Sequence, residues 1–474
     1  MKSITFTSEH QLAFAQLSGD YNPLHLDALA ARRLMYGAPV VHGIHSLLWG
    51  LEAWLEQQTG PVELRSLKIS FPKALPVGVA AQVSISPLTN TQLRIEVTSE
   101  QSLVTSIDCE WAKSDGNFAG AVDAGFPEKQ TSYALSLDEI AHKSGQLPLH
   151  FNLVAGAQMF PHLTKCVSPV TIAAMLAATR LVAVDCPGLH SVFSEFTLTA
   201  ADPPGAARAG CTLGYQVTKL EKRFGLVLMS ITAPGLTGTI KAFVRPPPHE
   251  QPGFAKLKPL VRPGEFAGQR AFVVGGSRGL GEVTAKLLAA GGTEVKITYH
   301  QGLAEADRVV QDIISGGGAA SALQLNVLDA QQSALAEALA GWNPTHLYYF
   351  ATPFIFAGSK GLFSTSLFQK FCDYYVTGFL NVLNPLRSVG LRKVFHPSSV
   401  AVEELPADMA EYAAAKMAAE TLCQTLAKNR KAGLVIYKPR LPRMGTDQTA
   451  TFLPVNNADP VPVMLEHLRA FHVM

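Results

Sequence analysis

The hydrophobic rhythm of this chain changes across one proline-rich stretch, and the change limits the folds open to it. That stretch, residues 245–265, reads RPPPHEQPGFAKLKPLVRPGE. Before it, apolar and polar residues alternate in ELRSLKISF (63–71), GVAAQVSISP (78–87), TQLRIEVTS (91–99) and LVTSIDCEWAK (103–113). A period of two marks half-buried antiparallel strands. After it, continuous apolar runs alternate with helical patterns, from AFVVGG through EVKITYH, ALQLNV, HLYYFAT and KVFHPSS to GLVIYKPR. This βαβ rhythm predicts a doubly wound parallel sheet. At 474 residues the chain is too long for one core. Residues 248–265 are expected to act as a semi-rigid spacer between the two kinds of sheet.

The alternating part carries its pattern twice. An apolar helix, GIHSLLWGLEAWLEQ, precedes the first set of strands. A second, SPVTIAAMLAATRLVAV (168–184), precedes FSEFTLTA, CTLGYQVTKL, GLVLMSITA and GTIKAFVRP. In each half a loop rich in Pro and Gly follows the first of these strands, FPKALPVG and then ADPPGAARAG.

Ser18 to Gly43, SGDYNPLHLDALAARRLMYGAPVVHG, concentrates chemistry. Asp20, Asn22 and His25 fall within six residues, and His42-Gly43 opens the first apolar helix. A carboxylate and an imidazole this close can share proton transfer. A glycine on the first turn of a buried helix can point its N–H at a developing oxyanion. D-x-N-P-x-H by itself reads as an Asn-Pro turn; V-H-G and the helix behind it add the chemistry. Together these residues resemble the MaoC-like, R-specific enoyl-thioester hydratases of the hotdog fold. Ser18, Asp20, Asn22, Pro23, His25, Asp27, Val40, His42 and Gly43 stand at the family's motif positions.

The resemblance implies a hotdog half with an active site in 1–125. The repeat in 130–247, which lacks D-x-N-P-x-H, then reads as a second, degenerate half of a double hotdog. His25 is expected as principal base with Asp20 as its acid/base partner, the two roles being exchangeable. Asn22 is expected to orient water or Asp20, Gly43 to hold the thioester oxygen, and Asp27 to cap ALAARRLM.

A second constellation lies in 266–474, a Rossmann domain by its rhythm. Gly275, Gly279 and Gly281 form G-x-x-x-G-x-G between a strand and a helix. Glycine there lets the backbone approach a pyrophosphate. Tyr412 and Lys416 share a helix face in EYAAAKMAAE, and Ser399 ends an apolar strand upstream. An ammonium beside a phenol lowers its pKa and suits it to proton exchange with a carbonyl. Over 266–446 these residues resemble the short-chain dehydrogenase/reductase family. The resemblance implies Ser399, Tyr412 and Lys416 as catalytic, with a nicotinamide cofactor held at Gly275, Ser277, Arg278, Gly279, Leu280, Gly281, Asn326, Val327, Tyr412 and Lys416. Four positions depart from the family. Its N-N-A-G is Tyr349-Phe350-Ala351-Thr352, its helix asparagine falls on Tyr375, an aspartate is Asn326, and P-G is Pro439-Arg440. The second strand ends Ile297-Thr298-Tyr299-His300 without an acid, and Arg278 sits in the glycine loop. Both features favour NADP(H) over NAD(H).

The composition excludes other classes. A formal charge of +2 gives no bulk attraction to nucleic acid. Six cysteines without C-x-x-C spacing argue against a metal site or a disulfide framework and suit a reducing, cytoplasmic setting. The start lacks an apolar signal region, and 168–184 contains Arg180 and is too short to span a membrane.

The two sites meet in one intermediate. The expected enzyme reduces 3-oxoacyl thioesters with NADPH and interconverts the (R)-3-hydroxyacyl and trans-2-enoyl thioesters, in a fatty-acid- or polyketide-like pathway. The alternative is a hydratase fused to a nucleotide-binding but catalytically weak reductase-like domain. The acyl group rides on coenzyme A or on acyl carrier protein, whose acidic surface could use Lys241, Arg245, Lys256, Lys258 and Arg262. Either reading admits a homodimer.

Overall fold

The computed structural model describes residues 2–474 except 117, 119–121, 202–210, 330, 331, 340, 429–432, 453 and 454. The ADPPGAARAG loop therefore lies almost wholly outside the described residues. The chain divides into two compact units, Met1–Pro247 with Thr451–Pro454, and Pro248–Ala450 with Val455–Met474. Among the described residues no helix is long and apolar enough to cross a membrane.

The first unit is built on one hotdog-like sheet of ten strands. These are β1 (Lys2–Thr5), β2 (Val62–Ser70), β3 (Ala80–Pro87), β4 (Gln92–Ser99), β5 (Ser102–Lys113), β6 (Ser144–Pro148), β7 (Ser191–Ala200), β8 (Thr212–Glu221), β9 (Leu226–Ala233) and β10 (Leu236–Val244). Their spatial order is β1-β3-β4-β5-β2-β7-β10-β9-β8-β6, so the second five strands repeat the first five in mirror order. The seam is the antiparallel pair β2–β7, in register from Ser66↔Thr199 to Ser70↔Glu195.

Each half wraps one long helix, Gly43–Leu55 or Pro169–Arg180. Both are apolar nearly all round, which a helix can be only when it is enclosed. Ile44 to Leu55 are all buried. At Gly50 a Cβ would stand 3.1 Å from Ile107, so the sheet lies directly on the helix. The one carboxylate on this helix, Glu52, is satisfied at 2.7–3.1 Å by the backbone N–H groups of His162 and Leu163 and by the His162 ring. Burial without those donors would cost several kcal/mol (~3–5 when a buried charge loses its partner).

The second unit holds a parallel sheet of β11 (Arg270–Val274), β12 (Glu294–Tyr299), β13 (Ala319–Gln324), β14 (His346–Tyr349), β15 (Lys393–Phe395) and β17 (Val435–Tyr437). Two short strands, β16 (Ser398–Ser399) and β18 (Arg440–Leu441), pair beyond it. The order β13-β12-β11-β14-β15-β17 is the doubly wound order, with a crevice at the β11/β14 switch point. The apolar runs became inner strands: all four residues of β14 are buried. Residues 248–265 differ from the spacer expected of them. Phe254, Leu257 and Val261 are buried in this unit's core beside Phe266. The backbone N–H of Phe254 donates to Asp312 at 2.9 Å. A few apolar anchors, at about 1.5–3 kcal/mol each when fully buried, outweigh the proline bias toward an open spacer.

Candidate active sites

Asp20 is placed by a helix end. The helix Ser8–Ser18 stops at Gly19, whose φ of +79° is left-handed. The Ser18 hydroxyl then accepts the Asp20 N–H at 3.2 Å. The Asp20 Oδ1 accepts the backbone N–H of Asn22 at 3.1 Å. Asn22 caps the turn Pro23–Leu26 by accepting the Leu24 N–H at 3.0 Å, and its Nδ2 donates to the Leu189 carbonyl at 3.2 Å. Of its two expected tasks, Asn22 therefore serves Asp20 through its backbone, while its side-chain amide is spent on the cap and on Leu189. Asp27 caps Ala28–Ala31 by accepting the N–H groups of Leu29 and Ala30.

His25 donates Nδ1–H to the Val40 carbonyl at 2.7 Å, since a carbonyl only accepts. Its Nε2 is left with a lone pair. The His25 ring stacks on His42, centroids 3.8 Å apart. His42 lies between Gln11 Oε1, 2.8 Å from Nδ1, and the Asp20 carbonyl oxygen, 3.0 Å from Nε2. Burial pushes His42 well below the ordinary imidazole value, and His25 beside it adds to the shift. Ligand-type atoms of Asp20, His25 and His42 lie within 4.8 Å of one another. A zinc ion about 2.0–2.1 Å from each nitrogen would need the two rings splayed around it. Both His42 ring nitrogens are already paired and His25 has only Nε2 left, so the cluster fits proton transfer better than a metal.

Burial raises Asp20, against the pull of His25, Thr179 and Asn22. Burial lowers His25, against the pull of Asp20. Burial thus favours the uncharged form of each, a carboxylic acid beside a neutral imidazole, which is the pairing that acid–base work requires. Gly43 is the first residue of its helix, and His42, the N-cap, makes no side-chain capping bond. The Gly43 N–H therefore has no partner inside the helix. Asp20, His25 and Gly43 line one cleft that is walled by Phe71, Val104 and, from the second half, Val182 and Phe193.

Sequence reasoning missed the second half's share. Thr179 donates its hydroxyl to Asp20 Oδ2 at 2.7 Å, from 159 residues away. The one signal was a threonine beside Arg180 at the end of an apolar helix. The basic residues considered for a carrier are mostly engaged. Lys241 bonds Glu195 at 2.7 Å, Lys258 bonds the Gly316 carbonyl at 2.9 Å, and Arg262 bonds Glu265 at 3.2 Å. Arg245 is buried, with Nη2 on the Leu189 carbonyl at 2.8 Å.

In the second unit the glycine loop follows β11. Gly275 and Gly279 have φ of +78° and +57°. A Cβ on Gly281 would stand 2.1 Å from the Gly275 carbonyl oxygen. The Gly275 N–H donates to the Thr298 hydroxyl at 3.1 Å, which ties the loop to β12. The helix Gly279–Ala290 begins at Arg278 with no side-chain cap, so its first N–H groups face the loop. Ser277 is buried and Leu280 half-buried on that turn. The loop thus fits a dinucleotide's pyrophosphate. Arg278 is not simply available for a 2′-phosphate: its Nη1 lies 3.4 Å from Asp447. Asn326 accepts the Leu328 N–H and donates to Asp329 in a local turn, and the carbonyl of buried Val327 accepts from Asn381.

Ser399 and Tyr412 come together. Burial raises Tyr412, offset by its hydrogen bond with Ser399. Lys416 donates to the Pro397 carbonyl at 3.0 Å and lies over the Tyr375 ring, 3.9 Å from its centroid, against 5.9 Å for Tyr412. Burial pushes Lys416 down to about 7, against the pull of Cys423 and Glu420. Tyr375 sits on the π-helical turn Asp373–Gly378, its hydroxyl 2.6 Å from that of Thr352. Two departures from the family thus bond to each other.

Residues 1–107 match the family model described as the MaoC like domain. The chain resembles a MaoC-like hydratase joined to a short-chain dehydrogenase/reductase. The matched residues hold Asp20, His25 and Gly43 and the strands β1 to β4. The (R)-specific enoyl-CoA hydratase of Aeromonas caviae is 36% identical over 86 residues, 18% of this chain and 64% of that protein. The 3-oxoacyl-[acyl-carrier-protein] reductase of Synechocystis is 48% identical over 64 residues, 14% of this chain and 26% of that protein. The chain thus spans about a quarter of the reductase's length and under two thirds of the hydratase's. Among solved structures, a 3-oxoacyl (acyl-carrier-protein) reductase from Agrobacterium tumefaciens with NADP bound is 20% identical, covering 44% of this chain and 91% of its own, with a TM-score of 0.39.

Proposed function

We propose that the chain is a bifunctional enzyme whose first unit, a double hotdog with one working half, adds water to trans-2-enoyl thioesters to give (R)-3-hydroxyacyl thioesters, and reverses that step. The observation that carries this reading is the Asp20–His25 pair lining one cleft with the Gly43 N–H. In hydration, His25 Nε2 takes a proton from water as its oxygen bonds C3. Asp20 gives a proton to C2, and the Gly43 N–H holds the oxygen that gains charge between those events. Asp20 and His25 can exchange roles, because each group can give or take a proton. The acyl carrier is coenzyme A or acyl carrier protein.

The second unit would supply the hydroxyacyl substrate by reducing 3-oxoacyl thioesters. Gly275, Gly279, Gly281 and the uncapped helix behind them would hold NADPH, which supplies the hydride. Ser399 would bind the carbonyl oxygen and Tyr412 would give it a proton. Joining the two units keeps the shared intermediate at high local concentration. The placement of Lys416 favours a second reading. An ammonium drawn to Pro397 and Tyr375 assists Tyr412 less, as in a nucleotide-binding domain with weak turnover. Incubating the purified protein with an acetoacetyl thioester and NADPH, with products resolved by mass spectrometry, separates the readings. Hydroxyacyl and enoyl products together are expected. Hydration of an added enoyl thioester without reduction, in a chain that binds NADPH, would leave the second reading. Absence of hydration would remove both.

A further inference from the structure

We infer that Thr179, on the half without an acid–base motif, is a positioning residue that aims the Asp20 carboxyl group at the reacting carbons; the inference rests on the hydratase reading. Its hydroxyl lies 2.7 Å from Asp20 Oδ2, and both residues are buried. A threonine inside a helix ordinarily returns its hydroxyl to the carbonyl four residues back. Thr284, Thr421 and Thr425 do so here. Thr179 instead donates across to another helix's loop. It stands on the last turn of Pro169–Arg180, immediately before the π-helical turn Leu181–Asp185 whose Val182 and Ala183 line the cleft.

The carboxyl group is therefore held at both oxygens by donors from different halves, Asn22 N–H on Oδ1 and Thr179 on Oδ2. Two donors fix the plane of the group, where one would leave it free to swing. The second half grips the same loop again through the Leu189 carbonyl, which accepts from Asn22 Nδ2 and from the buried Arg245. The titratable and charged groups around Asp20 are His25 on its turn, His42 at the start of the Gly43 helix, Arg180 packed against Gly19, and Arg245 facing His25.

The test measures hydration of a short enoyl thioester across pH for the full chain and for Thr179→Val and Thr179→Ser. A hydrogen bond to a charged group is worth roughly a tenfold change in rate. Thr179→Val should lower kcat about 10-fold, with KM changed less than about 2-fold. Its pH profile should move toward higher pH, because a hydrogen bond that favours ionised Asp20 is gone. Thr179→Ser keeps the donor and should restore both rate and profile. Wild-type kcat and profile in Thr179→Val would overturn the inference. So would failure of a folded Thr179→Ser to recover them, and this outcome is readable even if the valine variant does not fold. A wild-type chain that hydrates no enoyl thioester would remove the hydratase reading, and this inference with it.

Discussion

The two long helices of the antiparallel unit start in the same way and differ in one donor. The residues before them have nearly the same backbone, φ −58° and ψ 132° at His42, φ −53° and ψ 130° at Ser168. Neither makes a side-chain capping bond. The first helical residue is Gly43 in one half and Pro169 in the other. Proline suits a helix start because its missing N–H is not needed by the helix. An oxyanion site needs that N–H. The two halves therefore share a scaffold, while the first residue of the helix decides whether its end offers a donor. The second half keeps its other use, lending a wall and a hydroxyl to the first.

The largest expected effects separate the halves. Asp20→Asn and His25→Ala should each slow hydration at least about 100-fold, the lower range of a general acid–base contribution. Reduction of a 3-oxoacyl thioester should be unaffected in both. Rates near wild type in a hydration assay of the two variants would break the assignment. Gly43→Pro imports the second half's helix start into the first, and His42 already has a backbone compatible with a following proline. A Cβ at this position would meet the Phe71 ring at 3.1 Å, so Gly43→Ala is the control that shares the crowding and keeps the N–H. Loss of one oxyanion donor predicts a rate about 100-fold below that of the alanine variant. Equal rates would show that this N–H is not used.

Much of this was legible because it is local. D-x-N-P-x-H forms its turn from its own side chains, with Asn22 capping Pro23–Leu26, so residue types and spacing suffice. The unbroken apolar runs of β11 and β14 likewise announce inner parallel strands. What stayed hidden depends on contacts distant in sequence. Thr179 is an unremarked residue in an apolar helix until the fold sets it against Asp20. The attraction of Lys416 to Tyr375 depends on the π-helical turn Asp373–Gly378, which no residue pattern announces. Residues 248–265 were misread because prolines obscured three buried anchors, Phe254, Leu257 and Val261.

Smaller effects sharpen the contrast between sites. Burial lowers His25, so its imidazole stays uncharged to lower pH than usual. The acid limb of the hydration rate should fall below pH 6.5, the ordinary imidazole value; a limb at or above that pH would contradict a burial-lowered His25 acting as base. For reduction the sign is opposite, since Lys416 is charged only below about 7 in the nucleotide-free protein. kcat/KM for NADPH should decline as pH rises through that value. Asp447→Asn would relieve Arg278 of its carboxylate partner and should tighten NADPH binding by a few-fold, roughly what a partly exposed ion pair is worth. Titration calorimetry would show weaker or unchanged binding if Arg278 does not meet the nucleotide.

The most direct measurement is a crystal structure with a non-reactive 3-hydroxyacyl-thioester analogue bound. The thioester oxygen should lie within hydrogen-bond reach of the Gly43 N–H, with C2 and C3 facing Asp20 and His25. An analogue seated at the start of the Pro169 helix instead would contradict the assignment of chemistry to the first half.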